Sequence, residues 1–204
     1  MVEYKRNQVE EAISHLVEPK SPQPSQGLRT KLKRLLESDR ALPGANEIEF
    51  AFFSADPPGR GVEIWFSSYE AFALLNGLRL MEHGWPQGSA VSVMRDVRPA
   101  LEEQHKRILL HDPKWLFDKE AIRKNAREGD LAFDNQDPVL LAIASGQQGT
   151  PPECQICRGP RAAQIFFRQV GRKLGAMTTF ELTTLAHRLE WELAKTEPRF
   201  RGRG

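Results

Sequence analysis

Ser67-Ser-Tyr-Glu70, followed by Phe72, Leu75 and Leu78 and closed by Gly84, restricts the fold more tightly than any other stretch of the chain. A serine at a helix start accepts a hydrogen bond from the amide three residues on. A glutamate at that third residue answers the serine's own amide, so two donors without helical partners are satisfied together. The apolar residues then recur at helical spacing, and glycine suits the left-handed residue that ends many helices. The pattern predicts a helix to His83, entered directly from the β-rich run Gly61–Phe66 (GVEIWF).

The residues before that run supply three more elements. Asn7-Gln-Val-Glu10 reads as a capping box, with Val9, Ala12, Ile13 and Leu16 giving a short helix at about 7–17. Pro19, Pro22 and Pro24 hold the chain extended, and Ser25 caps a second helix at about 25–40 with an apolar stripe of Leu28, Leu32, Leu35 and Leu36. Glu47–Ser54 (EIEFAFFS) is a second β-rich run. With Gly61–Phe66 it predicts a hairpin whose tip is the proline- and glycine-rich turn DPPGRG, Asp56–Gly61.

After Gly84 a short helix is expected at Gln87–Val97 and another from Pro99 to about Leu110. Further on, the pattern gives a helix at Asp118–Arg127, strands at Leu131–Phe133 and Val139–Ser145, a loop at Ser145–Pro160 and a strand at Ala163–Val170. A third capping box, Thr178-Thr-Phe-Glu181, opens a helix to about Lys195 along Leu182, Leu185, Leu189 and Leu193. The expected fold is α+β. A winged-helix-like module of helix, helix, hairpin and helix occupies about 1–111, and a smaller α+β part occupies 112–204 and ends in a frayed basic tail.

The module resembles the MerR-type bacterial winged-helix regulators over roughly residues 4–100. The matching pieces are Tyr4-Lys-Arg-Asn-Gln8-Val9 near the opening of the first helix, and Gly61-Val-Glu-Ile-Trp65-Phe66-Ser67 with Tyr69-Glu70 at the second wing strand and its cap. Leu74, Leu80 and Gly84-Trp85 match the leucine-spaced helix that closes on glycine and an aromatic. The link Val17–Pro24 is longer than the family's tight turn. The resemblance implies a transcriptional regulator of a bacterial cytoplasm that binds double-stranded DNA as a homodimer. Arg29, Lys33 and Arg34 would lie at the groove, and Arg60 at the wing tip would touch phosphate.

Charge points the same way locally. Among 204 residues, 27% are charged and the net charge is only +2, which excludes wholesale disorder but does not by itself call for nucleic acid. The second helix nevertheless sets Arg29, Lys31, Lys33, Arg34 and Arg40 against Glu37 and Asp39. Arg29, Thr30, Lys33 and Arg34 fall away from its leucine stripe, as a helix presented to phosphates and base edges requires. A second basic tract, Cys154–Phe180, holds Arg158, Arg161, Arg168, Arg172 and Lys173 without a carboxylate. Phe166 and Phe167 lie within it, so Arg168, Arg172 and Lys173 are candidates for phosphate contact and the tract supports a second reading as an RNA or single-strand binder. Arg199, Arg201 and Arg203 add a sequence-blind electrostatic contribution. A third reading is a protein–protein adaptor within a larger assembly.

Catalytic and metal chemistry find little support. Cys154-Gln-Ile-Cys157 has the spacing of half a zinc site, but no second pair completes it, so two free thiols and no metal or cofactor are expected. No nucleophile motif, zinc-protease motif or phosphate loop is present, and an enzyme is not expected. Trp65, Trp85, Trp115 and Trp191 are expected as core or interface anchors. No apolar run reaches the length that spans a bilayer, so no membrane contact is expected.

Overall fold

The computed structural model describes residues 2–43, 50–55, 62–126, 128, 134–145, 151–170 and 176–198. It is α+β. The chain divides into two compact units, one formed by Met1–Arg98 with Arg188–Gly204, the other by Pro99–His187.

The first unit starts with β1 (Glu3–Lys5) and α1 (Arg6–Val17). The amide of Lys5 donates to Gln8 Oε1 at 3.0 Å. The expected capping box at Asn7–Glu10 is thus displaced: the helix starts earlier, and Glu10 instead accepts from Arg6 at 2.7 Å. α2 (Gln26–Ala41) forms where its stripe places it, with Ser25 Oγ accepting from the amide of Leu28 at 3.1 Å. Leu28, Leu32, Leu35 and Leu36 are buried. Ser25 is itself held, its hydroxyl donating to Glu18 Oε1 at 2.7 Å. The Ser25 amide also donates to Glu18 Oε2, at 3.1 Å, and these two bonds from Ser25 draw the Glu18 carboxyl below its ordinary range.

β2 (Trp65–Ser67) leads into α3 (Ser68–Glu82) through the predicted reciprocal cap. Glu70 Oε2 accepts from the Ser67 amide at 2.6 Å, and Ser67 Oγ accepts from the Glu70 amide at 3.2 Å. Gly84 takes φ +87°, the left-handed residue the sequence called for.

The wing does not form among the described residues. Trp65–Ser67 pairs antiparallel with Glu3–Lys5, Tyr4 opposite Phe66, and residues 50–55 are irregular. The reason lies in where the backbone donors of 50–55 go. Both Asp39 carboxylate oxygens accept from the Ala51 amide at 2.9 Å, and one of them from the Phe52 amide at 2.9 Å. Glu70 takes the Ser54 amide. Ala51, Phe52 and Phe53 are all buried, which an alternating strand with one wet face does not allow. Residues 47–49 of the expected strand, and the whole turn Asp56–Gly61 with Arg60, lie outside the described residues.

α4 (Gln87–Leu109) is one continuous helix with Pro99 inside it, where two short helices were expected. Its first half belongs to the first unit and its second half to the other.

In the second unit the helix expected from Asp118 forms as α6 (Lys119–Asn125), with Asp118 capping it through the amides of Glu120 and Ala121, and a short helix that was not expected, α5 (Pro113–Leu116), precedes it. The expected strand Leu131–Phe133 lies outside the described residues. β3 (Val139–Ser145) forms as predicted and is buried over Val139–Ala144, as a central strand covered on both faces must be. It lies between β4 (Glu153–Arg158) and β5 (Ala176–Glu181), both antiparallel to it, with Leu140 opposite Cys157 and Leu141 opposite Phe180.

Three expectations fail here. The loop 145–160 contains β4. Thr178-Thr-Phe-Glu181 is strand rather than helix start: α8 (Thr183–Lys195) begins later, and Glu181 caps it by accepting from the amides of Thr183 and Thr184 at 2.8 and 3.0 Å. Ala163–Val170 is helix, part of α7 (Gly159–Val170). Ala163, Phe166 and Val170 follow helical spacing and pack on Leu140, Ala142, Ala144 and Cys157 of the sheet.

Candidate nucleic-acid interface

α2 is fixed from beneath by a buried ion pair. Asp39 is fully buried and Arg95 is 8% exposed. Arg95 Nε donates to Asp39 Oδ1 at 2.9 Å, while the other guanidinium nitrogens reach the carbonyls of Asp39, Leu42 and Pro43. One arginine thus satisfies the end of α2, where helical carbonyls lack partners, while its acid partner gathers the amides of 51 and 52. Neighbouring Arg98 donates to the carbonyls of Phe50 and Phe53.

Above this base the outer side of α2 is cationic. Lys33 and Arg34 are exposed on the side opposite the leucines, and Arg29 and Lys31 flank them. Arg34 makes no ion pair among the described residues; only its backbone carbonyl is used, accepting from Gln87 at 3.0 Å. The other three have carboxylates at the long end of ion-pair range: Arg29–Glu10 at 3.9 Å, Lys31–Glu82 at 3.7 Å and Lys33–Glu37 at 3.6 Å. Exposed pairs of this kind contribute about 0–1 kcal/mol and yield readily to a competing phosphate. The Thr30 hydroxyl donates back to the Gln26 carbonyl at 2.8 Å. Arg40 lies over the Phe53 ring, 5.2 Å from its centroid.

In the second basic tract, Arg161, Ile165 and Arg168 share the exposed side of α7. Phe166 is core and Phe167 packs partly against it, so neither offers an open ring for stacking. Arg172 and Lys173 lie outside the described residues. Arg158 is paired with Asp137 at 2.8 Å.

The cysteines fall on β4. Positions three apart on a strand point to opposite faces, so Cys154 and Cys157 do not converge on one ion. Cys157 is buried against α7, and burial pushes its thiol up. Among the described residues no group of three or more His, Cys, Asp or Glu side chains is placed to hold a metal. A niche lined by Gln104, Arg107, His111 and Arg158 encloses about 10 Å³, room for about one water.

The tryptophans were expected as core or interface anchors. Three stand outside the core: Trp65 at 46%, Trp115 at 53% and Trp191 at 66% exposure. Trp191 was legible, because the stripe Leu182, Leu189 and Leu193 leaves it on the opposite side of α8, with Arg188 and Lys195 along the same side. Lys195 Nζ sits 4.8 Å from the Trp191 ring centroid and 2.9 Å from Glu192.

No described helix is long and apolar enough to cross a membrane. Compared with known proteins, the chain matches no protein-family model and no curated protein sequence.

Proposed function

We propose that the protein binds duplex DNA through the outer side of α2, in a transcriptional role. The observation that carries this reading is the pair Lys33 and Arg34, exposed together opposite the leucine stripe. The helix beneath them is held by Asp39 and Arg95. A helix anchored on one side and cationic on the other offers donors to phosphates at low reorganisation cost, and a guanidinium fork can reach a guanine edge. The reading no longer uses a wing. Coupling two copies of the chain would place two such helices on two half-sites, raising affinity and fixing their spacing.

The test is fluorescence anisotropy on a labelled duplex over a salt series. Each phosphate contact contributes a slope of about −0.9 in log K against log salt. Lys33→Ala/Arg34→Ala is expected to flatten the slope by about 2 while leaving the far-ultraviolet circular dichroism unchanged. Wild-type affinity and slope in that variant would sink the reading. The side of α7 supports a second reading, in which Arg161 and Arg168 contact RNA or a single strand: that helix contains no carboxylate. Loss of binding in Arg161→Ala/Arg168→Ala but not in the α2 variant would favour it.

A further inference from the structure

We infer that Trp191 is a stacking platform for an unpaired nucleobase, with Arg188 and Lys195 holding the phosphates on either side. This does not rest on the α2 reading, since none of the residues is shared.

Trp191 is the most exposed tryptophan described, at 66%. Its exposure is imposed by the helix: Leu189 and Leu193 take the buried side at 1% each, and a residue two positions from either lies on the far side. An indole this exposed contributes little to the core. The buried tyrosine or tryptophan that anchors a core keeps its polar tip near a partner and its rings dry.

Its neighbours select the ligand. Arg188 and Lys195 lie one turn before and one turn after it on the exposed side. Lys195 already lies over the ring at 4.8 Å from the centroid, so the cation takes one face of the indole and a base would stack on the other. The two nearest carboxylates are both engaged: Glu192 with His15 at 2.8 Å and with Lys195 at 2.9 Å, and Glu190 with Ser68. Beyond Pro198 the chain continues with Arg199, Phe200, Arg201 and Arg203 and no acid.

An aromatic face between cations complements a strand whose bases are free and whose backbone is anionic. A duplex does not offer that combination, because its bases are already stacked on each other. An acidic protein segment would satisfy the cations but not use the ring.

The experiment measures the full chain against fluorescently labelled oligo(dT) of about 16 nucleotides and against a duplex of equal length. Loss of one base stack costs about 1–3 kcal/mol, roughly 5- to 150-fold in affinity. Trp191→Ala is expected to weaken oligo(dT) binding about 10-fold or more, while Trp191→Phe, which keeps a ring, stays within about 3-fold. Duplex affinity stays at wild type in both. Arg188→Ala is expected to weaken oligo(dT) binding and flatten its salt slope by about 0.7. Wild-type oligo(dT) affinity in Trp191→Ala, equal losses for duplex and single strand, or no oligo(dT) binding by the wild type at low salt would each overturn the inference. A lost duplex signal in Lys33→Ala/Arg34→Ala with oligo(dT) binding intact separates the two sites.

Discussion

Removing Asp39 is the sharpest test of how the α2 platform is built. Asp39 lies in the last turn of α2 with no exposed surface and accepts from three groups: the amides of Ala51 and Phe52 and Nε of Arg95. Asp39→Ala leaves all three without that acceptor where water does not reach them. Two orphaned amides cost about 1–2 kcal/mol each, and a stranded guanidinium adds about 2 kcal/mol after its remaining bonds to the backbone carbonyls of residue 39, Leu42 and Pro43 are counted. The expected loss is about 4 kcal/mol, in the range found when one partner of a buried pair is removed, and a large part of the stability of an ordinary domain. Asp39→Asn keeps one acceptor oxygen and is expected to lose about half as much. Arg95→Met removes the cation, and Asp39→Asn/Arg95→Met is expected to be less damaging than the two single losses added together, by about 2 kcal/mol. Urea unfolding gives the free energies, and amide hydrogen exchange reports whether Ala51 and Phe52 lose protection first. A loss below about 1 kcal/mol for Asp39→Ala, or strict additivity in the double variant, would refute the reasoning.

Other expectations follow from single sites. His105 is 3% exposed; burial pushes its imidazole down to about 4, with nearby Glu102 opposing and His187 and Lys106 adding to the shift. An unfolded histidine titrates near 6.5, so between pH 6.5 and about 4 the unfolded chain binds the proton first. Stability should therefore fall by roughly 3 kcal/mol across that window, and urea midpoints in His105→Gln should be flatter with pH. Gly77→Ala, which in an open helix stabilises by about 0.5–1 kcal/mol, is expected to destabilise by about 1 kcal/mol. The added carbon would stand 2.8 Å from Cζ of fully buried Phe52, and a thermal melt decides the sign. Ser67→Ala removes the acceptor for the Glu70 amide and should cost about 1 kcal/mol. Iodoacetamide is expected to modify Cys154 well before Cys157, read by mass spectrometry over time, because Cys157 is buried and its thiolate disfavoured.

Most of the helical fold was legible because its signals are local. Ser25, the leucines of α2, the Ser67–Glu70 cap and Gly84 each act within a turn or two, and all four fall where the sequence puts them. What was lost depended on distant partners. GVEIWF reads as a hairpin strand, yet its mate is Glu3–Lys5, some sixty residues earlier. EIEFAFFS has strand composition, but its described amides are claimed by Asp39 and Glu70, which no window of that segment contains. In α7 the adjacent phenylalanines drew attention to a two-residue period, while Ala163, Phe166 and Val170 carried the true one. The basic side of α2 was readable from its leucines, and the openness of Trp191 was equally readable from those of α8.

The first unit is not continuous along the chain. Gln8 donates to the carbonyl of Thr196, His15 meets Glu192 and Ser68 donates to Glu190, so α1 and α3 wait for residues made more than a hundred positions later. The unit that those contacts complete cannot close while the ribosome is still translating residues 99–187, whereas the intervening unit can assemble as soon as it has emerged. Val9, Ala12 and Ile13, all buried in the finished protein, must meanwhile be shielded in other ways. This makes α1 the segment where a chaperone would be expected to hold the nascent chain, and makes the unit that begins first along the chain the second to be completed.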